Sequence, residues 1–463
     1  MSTFVGLNNA RLALAAQLHS MAVAGQNIAN ANTAGYSRQV AHHAAVALPG
    51  VGRAGNDAAA SAGVRIAAIR RQYDAYLDAR LRDLTADKHG IAAQYNVLTR
   101  LEELLREPGE ATLGTALDDL WTAFAQLTTS PGSISSRQNV LHKAQNVVDS
   151  FRETATEMAA LRTEVGERAA FSVQQVNALV QSLAEMNRSL ACAAATGSGA
   201  TAPNALLDER DALVRELAQF VQVHVAEQAH GAVKLTVGGR TLLEGDAAQQ
   251  LKLAKDADGK LVLDLNAAAI ADDLVGGALG GELQAHNRDL PQYQQQLDDF
   301  ALNVITQING LHSVGYDAQG NPGGDFFIGT SAGDIELAAG IKDQPDKLAM
   351  SASADGRDGV VAQQLADLQK KAWGDAPLLT TQYAALITDL GSQVASLHVS
   401  RDANQALVDF AAARVNAVSG VNIDEELIDM VRYQQAYAAA ARVLTSMDEA
   451  LDVLINRTGL AGR

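Results

Sequence analysis

Both ends of this chain read as long helices that carry a narrow apolar stripe. At the N-terminus Phe4, Leu7, Arg11, Leu14, Leu18, Met21, Gly25 and Ile28 follow alternating steps of three and four residues, interrupted only by Arg11 and Gly25. At the C-terminus Ile423, Leu427, Met430, Gln434, Tyr437, Ala441 and Leu444 keep the same spacing. The stripe then slips by one position and continues through Met447, Leu451 and Leu454. This period places the side chains on one face, the seam by which a helix packs against another. Without a partner such helices are marginal in water. The expectation is that the two termini meet and that further partners cover the rest, an assembly signature. An ordinary globular bundle produces the same spacing, so neighbouring residues must decide.

With 463 residues, the chain has room for two to four domains. Its apolar share is 48% but its aromatic share only 4%, which favours closely packed, alanine-rich helices over a bulky enzyme core. A net charge of -17 argues against a surface for phosphate or nucleic acid. The single cysteine, Cys192, rules out an intrachain disulfide and a cysteine-based zinc site, and its alanine neighbours predict a small buried hydrophobe. The first residues lack the basic and apolar regions of a secretory signal, and no stretch approaches the roughly 20 apolar residues of a membrane span. On this reading the protein is cytoplasmic or leaves by a route that does not read such a signal.

Helical periodicity covers residues 3 to about 30, then returns from Tyr73 until Pro108-Gly109, from Leu113 to Leu127, from Ser136 to Ala195 and from Ala205 to Phe220. Tyr36 to Ile69, with Pro49, reads as extended or irregular, and Thr196-Gly197-Ser198-Gly199 as a loop. From Val233 the period changes to two. Gly238-Gly239 and Asp256-Ala257-Asp258-Gly259 mark two hairpins, so a β-rich insert stands between helices. Gly276-Gly277-Ala278-Leu279-Gly280-Gly281 lacks a phosphate-loop lysine and reads as turns. Helix resumes from Glu282 to Leu311, delayed or bent by Pro291. It resumes again over Asp358 to Leu368, Thr380 to Ala417 and Asp424 to Asn456.

The candidates for chemistry are poor. His42-His43 has no carboxylate at ligand spacing and reads as a solvated pair. Asp424, Glu425 and Glu426 suit the positive end of a helix dipole, with Asn422 as N-cap. Asp208, Glu209, Arg210 and Asp211 cluster within one turn, without a nucleophile or base motif nearby. No cofactor, metal or catalytic residue is expected.

The segment Asn27-Ile28-Ala29-Asn30-Ala31-Asn32-Thr33-Ala34-Gly35-Tyr36-Ser37-Arg38-Gln39 resembles the N-terminal signature of bacterial flagellar axial proteins. Its Tyr-Ser-Arg-Gln ending is similar to that of the hook-associated FlgK family. So are Ser419 to Glu426 (with Asn422, Asp424 and Glu425) and the run Tyr433-Gln434-Gln435-Ala436-Tyr437. Three internal stretches agree in order: Arg71 to Tyr76, Asn204 to Asp211, and Gly323-Gly324-Asp325-Phe326-Phe327. The resemblance spans nearly the whole chain. It departs after Phe327, where sequence resembling the far side of a large outer domain follows within some twenty residues, at Asp343 to Ala349. The chain therefore looks like a short form.

The resemblance implies a mainly α protein with a β-rich insert. A long helical rod would carry paired N- and C-terminal coiled-coil helices. The expected divisions are 1–36 (N-terminal helix), 37–222 (rod, first part), 223–350 (β-rich outer domain with helical connection), 351–419 (rod, second part) and 420–463 (C-terminal helix). It also implies a structural role at the junction of hook and filament, secreted through the flagellar export channel. The implied partners are further copies of itself, hook protein, the second junction protein on the flagellin side, and a cytoplasmic export chaperone on the C-terminal helix. The expected assembly face comprises Leu7, Leu14, Leu18, Met21, Ile28, Ile423, Leu427, Met430, Tyr437, Leu444 and Leu451. Alternatives are a hook, rod or second junction protein, a secreted adhesin that binds through the β insert, and a cytoplasmic enzyme.

Overall fold

A computed structural model describes residues 3–47, 61–105, 112–196, 204–355, 358–374 and 376–453. Pro49, Pro108-Gly109, Gly197 to Gly199 and Leu454, as well as the Phe4 side chain, lie outside the described part. In chain order the helices are α1 (Thr3–Ala29), α2 (Ala75–Leu105), α3 (Leu113–Thr129), α4 (Ile134–Thr196) and α5 (Asn204–Phe220), then α6 (Gly277–Gln284), α7 (Leu290–Ser313), α8 (Val360–Asp367), α9 (Leu379–Ser419) and α10 (Ile423–Asp452). The strands are β1 (Gln39–Ala47) and β2 (Ser61–Arg71), then β3 (His224–Glu227), β4 (Val233–Val237), β5 (Arg240–Glu244), β6 (Ala247–Ala248), β7 (Leu251–Lys255), β8 (Leu261–Leu265) and β9 (Ala268–Ile270), and finally β10 (Phe327–Ile328) and β11 (Glu336–Leu337). The fold is mainly α with small antiparallel sheets. No helix among the described residues is long and apolar enough to cross a membrane.

The chain divides into two units. The first gathers residues 1–86, 176–250 and 405–463, so both ends of the chain belong to it. The segment read as extended or irregular forms an antiparallel ribbon, β1 with β2, from Gln39↔Arg71 to Ala47↔Ser61, with irregularities after His42 and Ala45. The ribbon lies on α1: His43 Nε2 is 3.1 Å from Ser20 Oγ, and a Cβ on Gly63 would sit 3.2 Å from Leu12 Cδ1. Strands β3 to β6 form a four-stranded meander. Gly238 and Gly239, at φ 54° and 75°, make its tight β4–β5 turn, a conformation that suits the twist of the flanking strands. Asn187 of α4 pins β4, as its side chain donates to Val233 O (2.8 Å) and accepts from Val233 N (2.9 Å). Cys192, expected to be buried, is exposed, because it lies on the solvent side of the last turns of α4.

The second unit comprises residues 87–175 and 251–404. Its core joins Leu98 and Leu101 of α2, Leu120, Phe124 and Leu127 of α3, Val147 and Phe151 of α4, Tyr293 and Phe300 of α7, and Leu386 of α9. Phe326 and Phe327, both fully buried, enter this core, and Phe326 stands edge-on to Phe124 at 5.9 Å. Burial of each ring stabilises the unit by about 1.5–3 kcal/mol. The β-rich stretch expected as one domain over 223–350 is thus divided, with β3–β6 in the first unit and β7–β9 in the second.

Two helical details depart from the sequence reading. Gly276 and Gly277 (φ 60° and 61°) do turn the chain, but Gly280 and Gly281 lie inside α6. A Cβ on Gly281 would stand 2.1 Å from Gly90 O, so this glycine permits a backbone contact with α2 and is no turn residue. Pro291 does not break the helix. It has no N–H for the Asn287 carbonyl, and the chain takes up the mismatch as a π-turn over Ala285–Asp289, with Leu290 N–H donating to Ala285 O.

Candidate functional site

The two ends of the chain meet within the first unit. Helices α1 and α10 run antiparallel: Asn27 near the end of α1 touches Glu426 in the first turn of α10, and a Cβ on Gly6 would lie 2.5 Å from Met447 Cε. Helix α10 starts where Asn422 Oδ1 accepts from Asp424 N (3.1 Å), and Asp424, Glu425 and Glu426 follow at the positive end of its dipole.

Polar side chains lock this end of the pair. Asn27 Nδ2 donates to Gln39 O (2.9 Å) and to Glu426 Oε2 (3.0 Å). Its Oδ1 accepts from Gln39 N (3.0 Å) and from the Tyr36 hydroxyl (2.9 Å). Every hydrogen-bonding position of the Asn27 carboxamide is therefore filled, in a residue only 1% exposed. Glu426, 3% exposed, accepts on its other oxygen from Arg38 Nε at 2.6 Å. Arg38 also faces Glu425 and Asp429 at 3.5 and 3.6 Å, and its backbone N–H donates to Ser419 O. Burial first, and then the carboxylates of Asp208 and Glu426, push the Tyr36 phenol up to about 12. The phenol thus stays a donor at any physiological pH.

A second group anchors the base of the ribbon to α5. Asp208 accepts from Ser37 N (3.2 Å) and from Arg71 Nη1 (3.1 Å). Arg71 Nη1 also lies 2.7 Å from Asp211 Oδ2, an ion pair off the hydrogen-bonding line. Burial opposes the Arg71 charge, but Asp211 and Asp208 outweigh it and hold its pKa above the ordinary value. Asn204 Nδ2 donates to Gln39 Oε1 and Ile69 O, and Arg210 pairs with Asp211 and with Gly231 O. From α10 through α1 and the ribbon to α5, the contacts form one connected polar network.

The signature residues therefore divide by role. Asn27 and Tyr36 are in the lock. Asn30 closes the end of α1, donating to Gln26 O and accepting from Thr33 Oγ1. Gly35 takes φ 81°, Asn422 caps α10, and Asn32, Asp424 and Glu425 are exposed. The predicted stripes are only partly placed as expected. Leu7, Leu14, Met21 and Ile28 are half-buried, as are Met430, Leu444 and Leu451, whereas Leu18 is 57% exposed and Ile423, Leu427 and Tyr437 are 43%, 46% and 38% exposed. The sheltered face of α10 instead passes through Glu426, Met430, Tyr433, Ala436, Ala440, Leu444 and Met447. Hydrophobicity alone misplaced it, because its first residue is a buried carboxylate and its middle is alanine.

Comparison with known proteins identifies this arrangement. Residues 98–327 match the model of the flagellar hook-associated protein FlgK helical domain, and residues 415–457 match that of the flagellar basal body rod FlgEFG protein C-terminal region. Flagellar hook-associated protein 1 of Escherichia coli K12 is 28% identical over 549 residues, covering 97% of this chain and 99% of that protein. The Bacillus subtilis protein of the same name is also 28% identical, over 511 residues and the full length of both. The chain belongs to the FlgK family. The fold agrees with the solved flagellar hook junction protein FlgK from Burkholderia pseudomallei, at a TM-score of 0.65 and 17% identity, covering 74% of this chain and all of that one. Since the alignment to the Escherichia coli relative is longer than this chain's 463 residues, that relative contains segments without a counterpart here.

Proposed function

We propose that this FlgK-family chain is a structural protein of the bacterial flagellum that forms the junction between hook and filament, is needed for filament assembly and motility, and has no catalytic role. The observation that carries the reading is the lock itself. The family signature residues at both ends of the sequence converge on one polar cluster that closes α1 against α10. Closure leaves Leu18, Ile423, Leu427, Ile428, Val431 and Tyr437 exposed on helices that are already paired. Such an apolar face suits contact with other axial subunits: further copies of this chain, hook protein on one side, and the second junction protein and flagellin on the other. The protein would leave through the flagellar export channel, with a cytoplasmic chaperone shielding α10 before export. A rod protein is the second reading, favoured by the match of residues 415–457 to the rod C-terminal model. The deciding experiment is a deletion strain. Loss of motility with release of unpolymerised flagellin, hooks remaining intact, supports the junction role, while loss of the hooks themselves supports the rod reading.

A further inference from the structure

We infer that Glu426 is the positioning residue that sets the register of α10 against α1. The middle of the pair discriminates poorly between registers. Ala10 and Ala24 are buried on α1, and the sheltered face of α10 has Ala436, Ala440 and Ala441 at its middle. There a slip of one turn, about 5.4 Å, retains most of the contact, although Met447 would leave its place over Gly6 at the far end. Glu426 makes the registers unequal. In the observed one, its two oxygens meet Asn27 Nδ2 and Arg38 Nε, and it is the one residue of α10 that is buried. A one-turn slip brings Ile423 or Met430 to the same place, and Arg38 and the second Asn27 N–H then face an apolar side chain. Single buried polar residues set register in this way in helix pairs, at some cost in stability.

The residue is separable from the rest of the lock. Without the Glu426 carboxylate, Arg38 keeps Glu425 and Asp429, and Asn27 keeps Gln39 and Tyr36. Glu426→Leu therefore leaves two N–H groups unpaired, one on Asn27 and Arg38 Nε, and should not abolish pairing.

The test uses the full-length purified chain carrying Cys192→Ser, since Cys192 is exposed. Cysteine pairs at Gly6 with Met447, Gly6 with Leu444 and Gly6 with Leu451 report the observed register and its two one-turn neighbours. In the Glu426 background a short bis-maleimide should join the 447 pair and spare the others. With Glu426→Leu, the ratio of off-register to in-register product should rise about 10- to 100-fold, the population change that one charge-assisted hydrogen bond commands. Glu426→Gln keeps one of the two acceptors and turns an N–H toward the other donor, so its ratio should fall between those of Glu426 and Glu426→Leu. Cross-linking at 447 alone in Glu426→Leu overturns the inference. So does silence at all three pairs, which would mean that Glu426 supplies affinity and not register. Either result leaves the junction reading untouched, because the measurement involves no other flagellar component.

Discussion

Replacing Asp208 with Ala gives the sharpest measure of how much the polar network contributes. The substitution removes the acceptor for the buried Ser37 N–H and one of the two carboxylates around Arg71. An orphaned buried donor costs about 1–3 kcal/mol. The weakened ion pair adds about 1 kcal/mol more, because Arg71 retains Asp211 at 2.7 Å and is not stranded as a lone buried charge. The sum is about 2–4 kcal/mol. The pair Lys143 with Asp119 has a similar contact distance of 2.7 Å but far more solvent around both partners, and Lys143→Ala should cost about 0.2–1 kcal/mol. A protein of two units does not license a single unfolding free energy. Native-state hydrogen exchange at the paired amides of β1 and β2 resolves the local effect. Asp208→Ala should accelerate them about 30- to 1,000-fold while the buried amides of α3 keep their rate. Asp208→Asn, with one acceptor left, should fall between. An Asp208→Ala ribbon that exchanges like that of Lys143→Ala would refute the argument that burial makes this network matter.

His312, fully buried, donates from Nδ1 to Gly324 O (2.6 Å) and accepts Ala349 N–H at Nε2 (2.9 Å), and burial lowers its pKa. A histidine held neutral in the fold binds its proton only on unfolding. Its contribution is therefore full above the ordinary value of 6.5 and is lost as pH falls below it toward the lowered value, at up to about 1.4 kcal/mol per pH unit. In urea titrations of the second unit, His312→Gln should remove that slope, and an unchanged slope would assign it to another group. Leu427→Asp should leave the monomer's helicity intact but abolish motility, whereas Leu444→Asp, on the sheltered face, should also loosen the α1–α10 pair. Circular dichroism beside a swimming assay tests both, and normal swimming with Leu427→Asp would remove the exposed face from the assembly surface. Gly281→Ala should destabilise the second unit by about 3 kcal/mol or more through overpacking against Gly90. Gly25→Ala meets nothing within 4 Å and should stabilise α1 by about 0.5–1 kcal/mol, measured as thermal melting of each variant.

The long helices were legible because their periods are long and their punctuation is strong: the Ser130-Pro131-Gly132 stop, the Asn422 cap and the Gly238-Gly239 turn all stand where the sequence places them. The meeting of the ends was legible too. The facing surface was not. Glu426 stands beside Asp424 and Glu425 in a first turn where the dipole already accounts for three carboxylates, and nothing local marks the third as buried. Its reason to be buried, Arg38, lies 388 residues away. A separation of 137 positions likewise hid Asp208 from Arg71, and β1 and β2, though close in sequence, alternate too weakly to announce a strand. Gly281 misled for a different reason, since a glycine that lets two helices touch and a glycine that turns a chain look alike in one sequence. The division of the β strands between two units was hidden as well, because Asn187, which ties β4 to α4, lies 46 positions before Val233.

The contact between Asn27 and Glu426 spans 399 positions of sequence, and this fixes when it can form. During synthesis α1 emerges first and its partner last, so α1 must wait, unpaired, for nearly the whole chain. Closing a loop of that length from an unfolded chain costs about 5 kcal/mol by chain statistics, more than one helix seam of alanines readily returns. Once the intervening units have folded, the free length between the two ends shrinks and closure becomes favourable. The terminal pair should accordingly be the slowest element to appear on refolding, and its appearance should report that everything between has already been built.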